Sequence, residues 1–167
     1  MLEKEFSKKY LVKKITDSDI DDVFLLCKGN PLYYEYCPPM VTKEGIKEDM
    51  VALPPNMSIK DKYFVGYYCE EKLIAILDLI SGYPNKDIAF VGLFMTDASI
   101  QNKGIGSSLI NELCSVLKQQ NYNTVRLAWC KGNPQSEHFW IKNGFKIIKE
   151  TYSDSAKEKV IMAEKEL

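Results

Sequence analysis

The stretch of this sequence best equipped for chemistry is Phe94-Met95-Thr96-Asp97-Ala98-Ser99-Ile100-Gln101-Asn102-Lys103-Gly104-Ile105-Gly106-Ser107-Ser108, where an apolar run passes through a short loop into a glycine-bearing helix start. The first turn of a helix has unpaired N–H groups and the positive end of the macrodipole, so it stabilises an anion, phosphate above all. Gly104 and Gly106 place no side chain in the way, Ser107 and Ser108 add hydroxyl donors, and Lys103 adds positive charge. A dinucleotide fingerprint would need glycine at position 109, where Leu109 stands. It would also normally sit in the first β-α unit of a doubly wound sheet. The nucleoside-triphosphate loop needs four residues between its glycines, then Lys and Ser or Thr, and nothing here matches it. What remains is Gln-x-x-Gly-x-Gly.

The elements that must hold this loop follow from periodicity. Weak alternation over Lys9–Ile15 predicts a strand, and Thr16-Asp17-Ser18-Asp19 starts a helix through Ile20, Val23, Phe24 and Cys27 that ends at Gly29-Asn30-Pro31. Leu32–Pro39, with Tyr33, Tyr34 and Tyr36 before a double proline, reads as an aromatic-rich loop. Thr42 caps a second helix with Ile46, Met50 and Leu53 on one face, stopped by Pro54-Pro55. Three β-rich runs, Tyr63–Cys69, Leu73–Ile80 and Ile88–Met95, joined by short turns, make an antiparallel meander. Gln101–Asn121 repeats apolar residues at Ile105, Leu109, Leu113, Val116 and Leu117, one face of a helix. Thr124–Trp129 is a strand, Asn133 opens a helix closed by Asn143-Gly144, and Phe145–Ile148 and Val160–Ala163 are the last two strands. The order is β-α-α-β-β-β-α-β-α-β-β, with no repeat or linker, in a chain of 167 residues whose length suits one domain.

Gln101-Asn102-Lys103-Gly104-Ile105-Gly106, after a strand and opening an amphipathic helix, resembles the pyrophosphate loop of the GCN5-related N-acetyltransferase (GNAT) superfamily. Asn133-Pro134-Gln135-Ser136-Glu137-His138-Phe139-Trp140-Ile141-Lys142-Asn143-Gly144-Phe145 resembles that superfamily's second signature, and the two stand in the expected order. The resemblance is close over Leu73–Ile148. It implies an α/β (α+β) fold with 1–167 as one N-acetyltransferase domain. A mixed, mostly antiparallel sheet of about six or seven strands, splayed at the centre, would be flanked by about four helices. It also implies acetyl-CoA as co-substrate, without a metal, and direct transfer of acetyl to the amine of a small molecule or peptide. The cofactor would run along Phe94 and Met95, its pyrophosphate on Gln101, Asn102, Lys103, Gly104, Ile105, Gly106 and Ser107, with Asn133, Ser136 and Phe139 bordering the thioester. Homodimers through exposed strand edges are common among such enzymes.

Many members of that superfamily carry tyrosine where this chain has Trp140, and an indole N–H is no acid for a departing thiolate. Tyr122, Tyr152 and Tyr83 are then alternatives. For a base, Asp78 stands out as a carboxylate inside an apolar strand, where burial raises its pKa; the other reading is a hydrogen bond within the sheet. Tyr33, Tyr34 and Trp140 are candidates for the acceptor pocket, set against plain packing. Asp97 orders the loop, Glu137 is solvated, and His138, the only histidine, has no partner for a metal pair. Cys130 reads as a structural thiol rather than an acyl carrier.

A net charge of -1, from 22 basic and 23 acidic residues, gives no footprint for nucleic acid or anionic membrane. The first residues lack the apolar core of a secretory signal and no apolar run is long enough for a bilayer span. Five scattered cysteines without a Cys-x-x-Cys pair fit reduced thiols in a cytoplasm. An acyl-CoA-binding sensor without turnover is the alternative function, and a nucleotide-binding Rossmann protein is disfavoured by Leu109 and by the meander.

Overall fold

Alternation of side chains across a strand builds this molecule around one sheet with a core on each face. The computed structural model describes residues 1–167. Its strands are β1 Leu11–Lys14, β2 Lys62–Cys69, β3 Lys72–Ser81, β4 Ile88–Thr96, β5 Thr124–Cys130, β6 Lys146–Ser153 and β7 Glu158–Glu166. The helices are α1 Ile20–Lys28, α2 Pro31–Tyr36, α3 Lys43–Val51, α4 Ile105–Gln119 and α5 Pro134–Lys142. The sheet runs β1-β2-β3-β4-β5-β7-β6. Only β4 and β5 pair in parallel, joined through α4, the right kind of connection for parallel neighbours. This is the mixed, mostly antiparallel α/β fold expected from the sequence.

β3 shows why both faces are covered: Leu77 and Leu79 point into a core shared with Leu109, Leu113 and Leu117 of α4, whereas Leu73 and Ile76 point into a core shared with α1 and α3. Burial of β3 on both faces explains its nearly unbroken apolar run. Thr42 caps α3 as expected, its Oγ1 accepting from Gly45 N at 2.9 Å. No helix is long and apolar enough to cross a membrane.

Three local readings change. Residues 31–36 form a helix rather than a loop, because Pro31 stands at its first turn, where its missing N–H costs nothing. The two prolines at 38 and 39 fall after its end. α4 starts at Ile105, with Gly104 as its N-cap in the left-handed region (φ 78°), so residues 101–104 form a turn ahead of the helix. β6 and β7 are longer than their apolar centres suggested, because their ladder continues through polar pairs such as Tyr152 with Lys159.

The decisive feature is a split. β4 and β5 pair only from Ile88–Thr124 to Val91–Leu127. Beyond that β4 continues to Thr96 on β3 alone, and β5 to Cys130 on β7 alone. The register of β4 on β3 jumps there, Asp78 opposing Leu93 and Leu79 opposing Val91, which leaves Gly92 as an extra residue. A bulge of this kind bends a strand and increases its twist, and here it carries β4 away from β5.

Candidate active site

The two strands diverge around an opening of about 290 Å³ that passes between the two faces of the sheet. Phe94, Thr96, Phe139 and Trp140 line it towards the α4–α5 face, and Tyr33 and Met95 towards the α1–α3 face. Gln101, Asn102, Gly104, Gly106 and Ser107 form one rim; Gln135, Ser136, His138 and Lys142 form the other. On the facing edges beyond Val91 and Leu127 the backbone groups have lost their ladder partners, so they are free to bond an extended ligand. Trp129, on that part of β5, is buried with its indole N–H unpartnered.

The turn expected to hold an anion lies at the start of α4. The first helical amide to find an acceptor is Ser108 N, on Gly104 O at 3.0 Å, so the amides of Ile105, Gly106 and Ser107 have none within the helix. A Cβ on Gly106 would lie 3.2 Å from Phe139 Cε2 and 3.5 Å from Thr96 Cγ2. Glycine there lets α4 approach the aromatic wall, in which Phe94 and Phe139 stack at 5.9 Å and Trp140 meets Phe139 edge-on at 4.9 Å.

Asn30 was missed by the sequence reading, which saw only a helix end in Gly29-Asn30-Pro31. It is buried; its Nδ2 donates to Leu26 O and to Thr96 O, both at 3.0 Å. Its Oδ1 accepts from Gln101 Nε2 at 2.6 Å, and Gln101 Oε1 in turn accepts from Gln135 Nε2 at 3.2 Å. This chain of amides ties α2 to the end of β4 and to the first residue of the glycine loop. Its signal in the sequence was a carboxamide beside Pro31, which nothing local distinguishes from a helix cap. Asn30→Ala is expected to weaken acetyl-CoA binding about tenfold, the worth of one to two lost hydrogen bonds. Calorimetric titration measures it, with circular dichroism to show that the variant is folded.

Several residues expected at the cofactor or acceptor do not line the opening. Asn133 is buried and does not line the opening; its Oδ1 caps α5 by accepting from Gln135 N and Ser136 N, both at 3.1 Å. Lys103 Nζ donates to Ser99 O at 3.0 Å, and Ile105 packs against the core. Tyr34 stands behind Tyr33, edge-on at 5.0 Å. Of the tyrosines weighed as proton donors, Tyr83 packs on Phe90, Tyr122 lies against the core and Tyr152 is exposed on β6; none lines the opening, and Tyr33 does. Burial pushes the Tyr33 phenol up to about 12, with smaller contributions from Asp49 and Cys27.

Asp78 points to the α1–α3 face, in register with Phe64. Both its oxygens accept from Lys62 Nζ, each at 2.8 Å, and the Lys62 side chain is only 2% exposed. Asp78 Oδ2 also lies 3.0 Å from where a Cβ on Gly92 would be. The carboxylate therefore borders the bulge, beside the exposed residue at which the split begins, though it does not line the main opening. Burial raises its pKa, opposed by the Lys62 charge and hydrogen bond and reinforced by Asp49.

The expectation of five free thiols also changes: Cys37 and Cys130 are joined in a disulfide, with Cα atoms 5.7 Å apart, while Cys27, Cys69 and Cys114 are free. The bridge spans a sequence separation of 93, a proximity that spacing along the chain does not reveal.

The sequence profile described as "Acetyltransferase (GNAT) family" matches residues 30–145. No curated protein matches the chain. Among solved structures, an acetyltransferase from Thermus thermophilus superposes with a TM-score of 0.78 at 16% identity, over 95% of this chain and 97% of that one. The paia N-acetyltransferase of Thermoplasma acidophilum, solved in complex with coenzyme A, gives 0.67 at 18% identity over 95% and 99%. The ribosomal-protein-S18-alanine N-acetyltransferase of Escherichia coli gives 0.66 at 12% identity over 94% and 93%. At these identities the likenesses establish the fold.

Proposed function

The chain belongs to the acetyltransferase (GNAT) family and is an acyltransferase of that kind, and from that premise we propose that it moves acetyl from acetyl-CoA directly to a primary amine of a small molecule or peptide. The observation that carries the proposal is the opening through the sheet, with a glycine-bearing helix start at one mouth and Tyr33 towards the other. A pyrophosphate at the α4 amides would leave the pantetheine arm to follow the free edge of β4 past Phe94 and Met95. The amine would then approach from the α1–α3 face.

Direct transfer fits the thiols. No cysteine lines the opening, Cys130 is in a disulfide, and burial pushes Cys27 up to about 11, away from the thiolate a covalent route would need. In the proposed step the amine nitrogen attacks the thioester carbonyl, a C–N bond forms, the C–S bond breaks and coenzyme A leaves as thiolate. A free backbone N–H of β4 stabilises the oxyanion, and holding the two reactants together supplies much of the rate. Asp78, which borders the bulge at Gly92 without lining the opening, is the carboxylate we assign to take up the proton that the amine sheds, reached past exposed Gly92. Tyr33 is a poor acid for the thiolate: a phenol near 12 lies several units above an ordinary thiol, so proton transfer would run uphill. Its place is in the acceptor wall, with Trp140 forming part of the thioester's apolar surround.

Calorimetric titration with acetyl-CoA and, separately, NAD tests the cofactor; a panel of primary amines followed by thiol release tests the reaction. Saturable binding of acetyl-CoA alone, with amine-dependent thiol release, is expected. Preference for NAD would overturn the cofactor assignment, and binding without release on any amine would overturn the transfer.

A further inference from the structure

Helix α2 crosses the split. At its N-terminus Asn30 donates to Thr96 O, the last residue of β4. At its C-terminus Cys37, the C-cap, is bonded to Cys130, the last residue of β5. Tyr33, midway along, lines the opening, and the Tyr36 ring lies beside Gly132, just past the end of β5, at 3.5 Å from where a Cβ would be, an ordinary packing distance. A helix of six residues spans about 9 Å, and this one ties together two strands that have no hydrogen bonds between them at that level.

We propose that Cys37–Cys130 is a redox latch on the acceptor wall: oxidised, it holds α2 and Tyr33 across the split; reduced, it frees the C-terminal end of α2 while the Asn30 end stays attached. The idea rests on the acetyl-transfer reading only for its effect on turnover. Cys37 is half-buried and Cys130 buried, so an incoming small thiol meets the Cys37 sulfur first. Its thiolate attacks Cys37 Sγ, the protein S–S bond breaks, and Cys130 leaves as thiolate and takes a proton. A second small thiol, as thiolate, attacks the sulfur added at Cys37. That releases the low-molecular-weight disulfide and leaves Cys37 as a thiol once protonated. The net exchange is one protein disulfide and two thiols for two protein thiols and one small disulfide, and an oxidised low-molecular-weight thiol such as glutathione disulfide drives it back.

The cofactor rim is anchored through Asn30 and α4, not through Cys37, so the two ends of α2 predict different responses. Reduction is expected to raise the KM of the acceptor about fivefold or more, in the range of ordinary site coupling, and to change acetyl-CoA affinity less than twofold. Hydrogen exchange of residues 31–37 reads the latch without any acceptor and is expected to quicken on reduction.

The experiment uses the whole chain equilibrated with glutathione disulfide or with excess reduced glutathione, alkylated and weighed intact to count thiols. Cys37→Ser and Cys37→Ala serve as permanently open forms. Support requires three things. Two fewer alkylations must appear in the oxidised sample, exchange in 31–37 must differ between the two states, and both variants must match the reduced protein in exchange whatever the glutathione poise. The acceptor is the amine that gives thiol release in the panel above. Equal alkylation of Cys37 and Cys130 after oxidation, or identical exchange in the two states, overturns the latch. Unchanged acceptor KM with altered exchange overturns its role in the acceptor wall. Failure of acetyl-CoA to bind either form would overturn the transfer reading and leave the exchange result standing.

Discussion

Gly106→Asp is expected to raise the Kd for acetyl-CoA by about a thousandfold, the loss of two hydrogen bonds to a charged phosphate at about 2 kcal/mol each. The new Cβ would sit 3.2 Å from Phe139 Cε2, within an aromatic stack that also holds Phe94. The carboxylate would then stand where the α4 amides should meet phosphate, with the same sign of charge. Gly104→Asp is expected to do less. A Cβ at Gly104 meets nothing within 4 Å, so the carboxylate can swing aside, and its cost is the strain of a side chain at φ 78°. That strain is about 1 kcal/mol and is least for Asp and Asn. Calorimetry on both variants, with thermal melts as the folding control, checks the ranking. Equal losses, or none at Gly106, would show that the phosphate does not lie on α4.

Asp78→Asn is expected to cost stability as well as turnover, which changes how the base must be tested. Removing the carboxylate strands the Lys62 ammonium, whose side chain is 2% exposed and whose only salt-bridge partner is Asp78. Breaking a buried pair from one side costs about 3–5 kcal/mol, a fall in Tm of about 10 °C for a chain of this size. Replacing both partners with apolar residues, Lys62→Met with Asp78→Leu, is expected to recover most of that stability while turnover stays low. A double variant as active as the unaltered chain would make the pair structural alone. The pH profile gives a second reading. Burial, the largest influence on Asp78, raises its pKa despite Lys62. Turnover through a carboxylate base is therefore lost as pH falls through that raised value, so the acid limb of kcat should lie above the ordinary carboxylate range, and should vanish in the double variant.

Much of the frame was legible because its causes are local. Thr42 caps α3, the glycines of the loop sit at the helix start, and β-rich runs bounded by short turns marked β2, β3 and β4, each within a few residues of the observed bounds. The local reading of residues 31–36 went astray because the two prolines beyond the segment were weighed and Pro31 at its first turn was not.

The site itself divides along the same line. The turn ahead of α4 was legible because Gly104 takes a left-handed conformation (φ 78°) that short-range sterics largely reserve for glycine, whereas the need for glycine at 106 comes from Phe139 in the folded chain. Tertiary packing alone makes Asn30 hold Gln101 across 71 residues, Lys62 neutralise Asp78, and Cys37 meet Cys130 across 93. The Lys62–Asp78 pair follows from the register of β2 on β3, and the other two from the way α2 lies across the ends of β4 and β5. Register depends on how two whole faces bury their apolar side chains at once, a sum over distant residues that no short window of sequence contains.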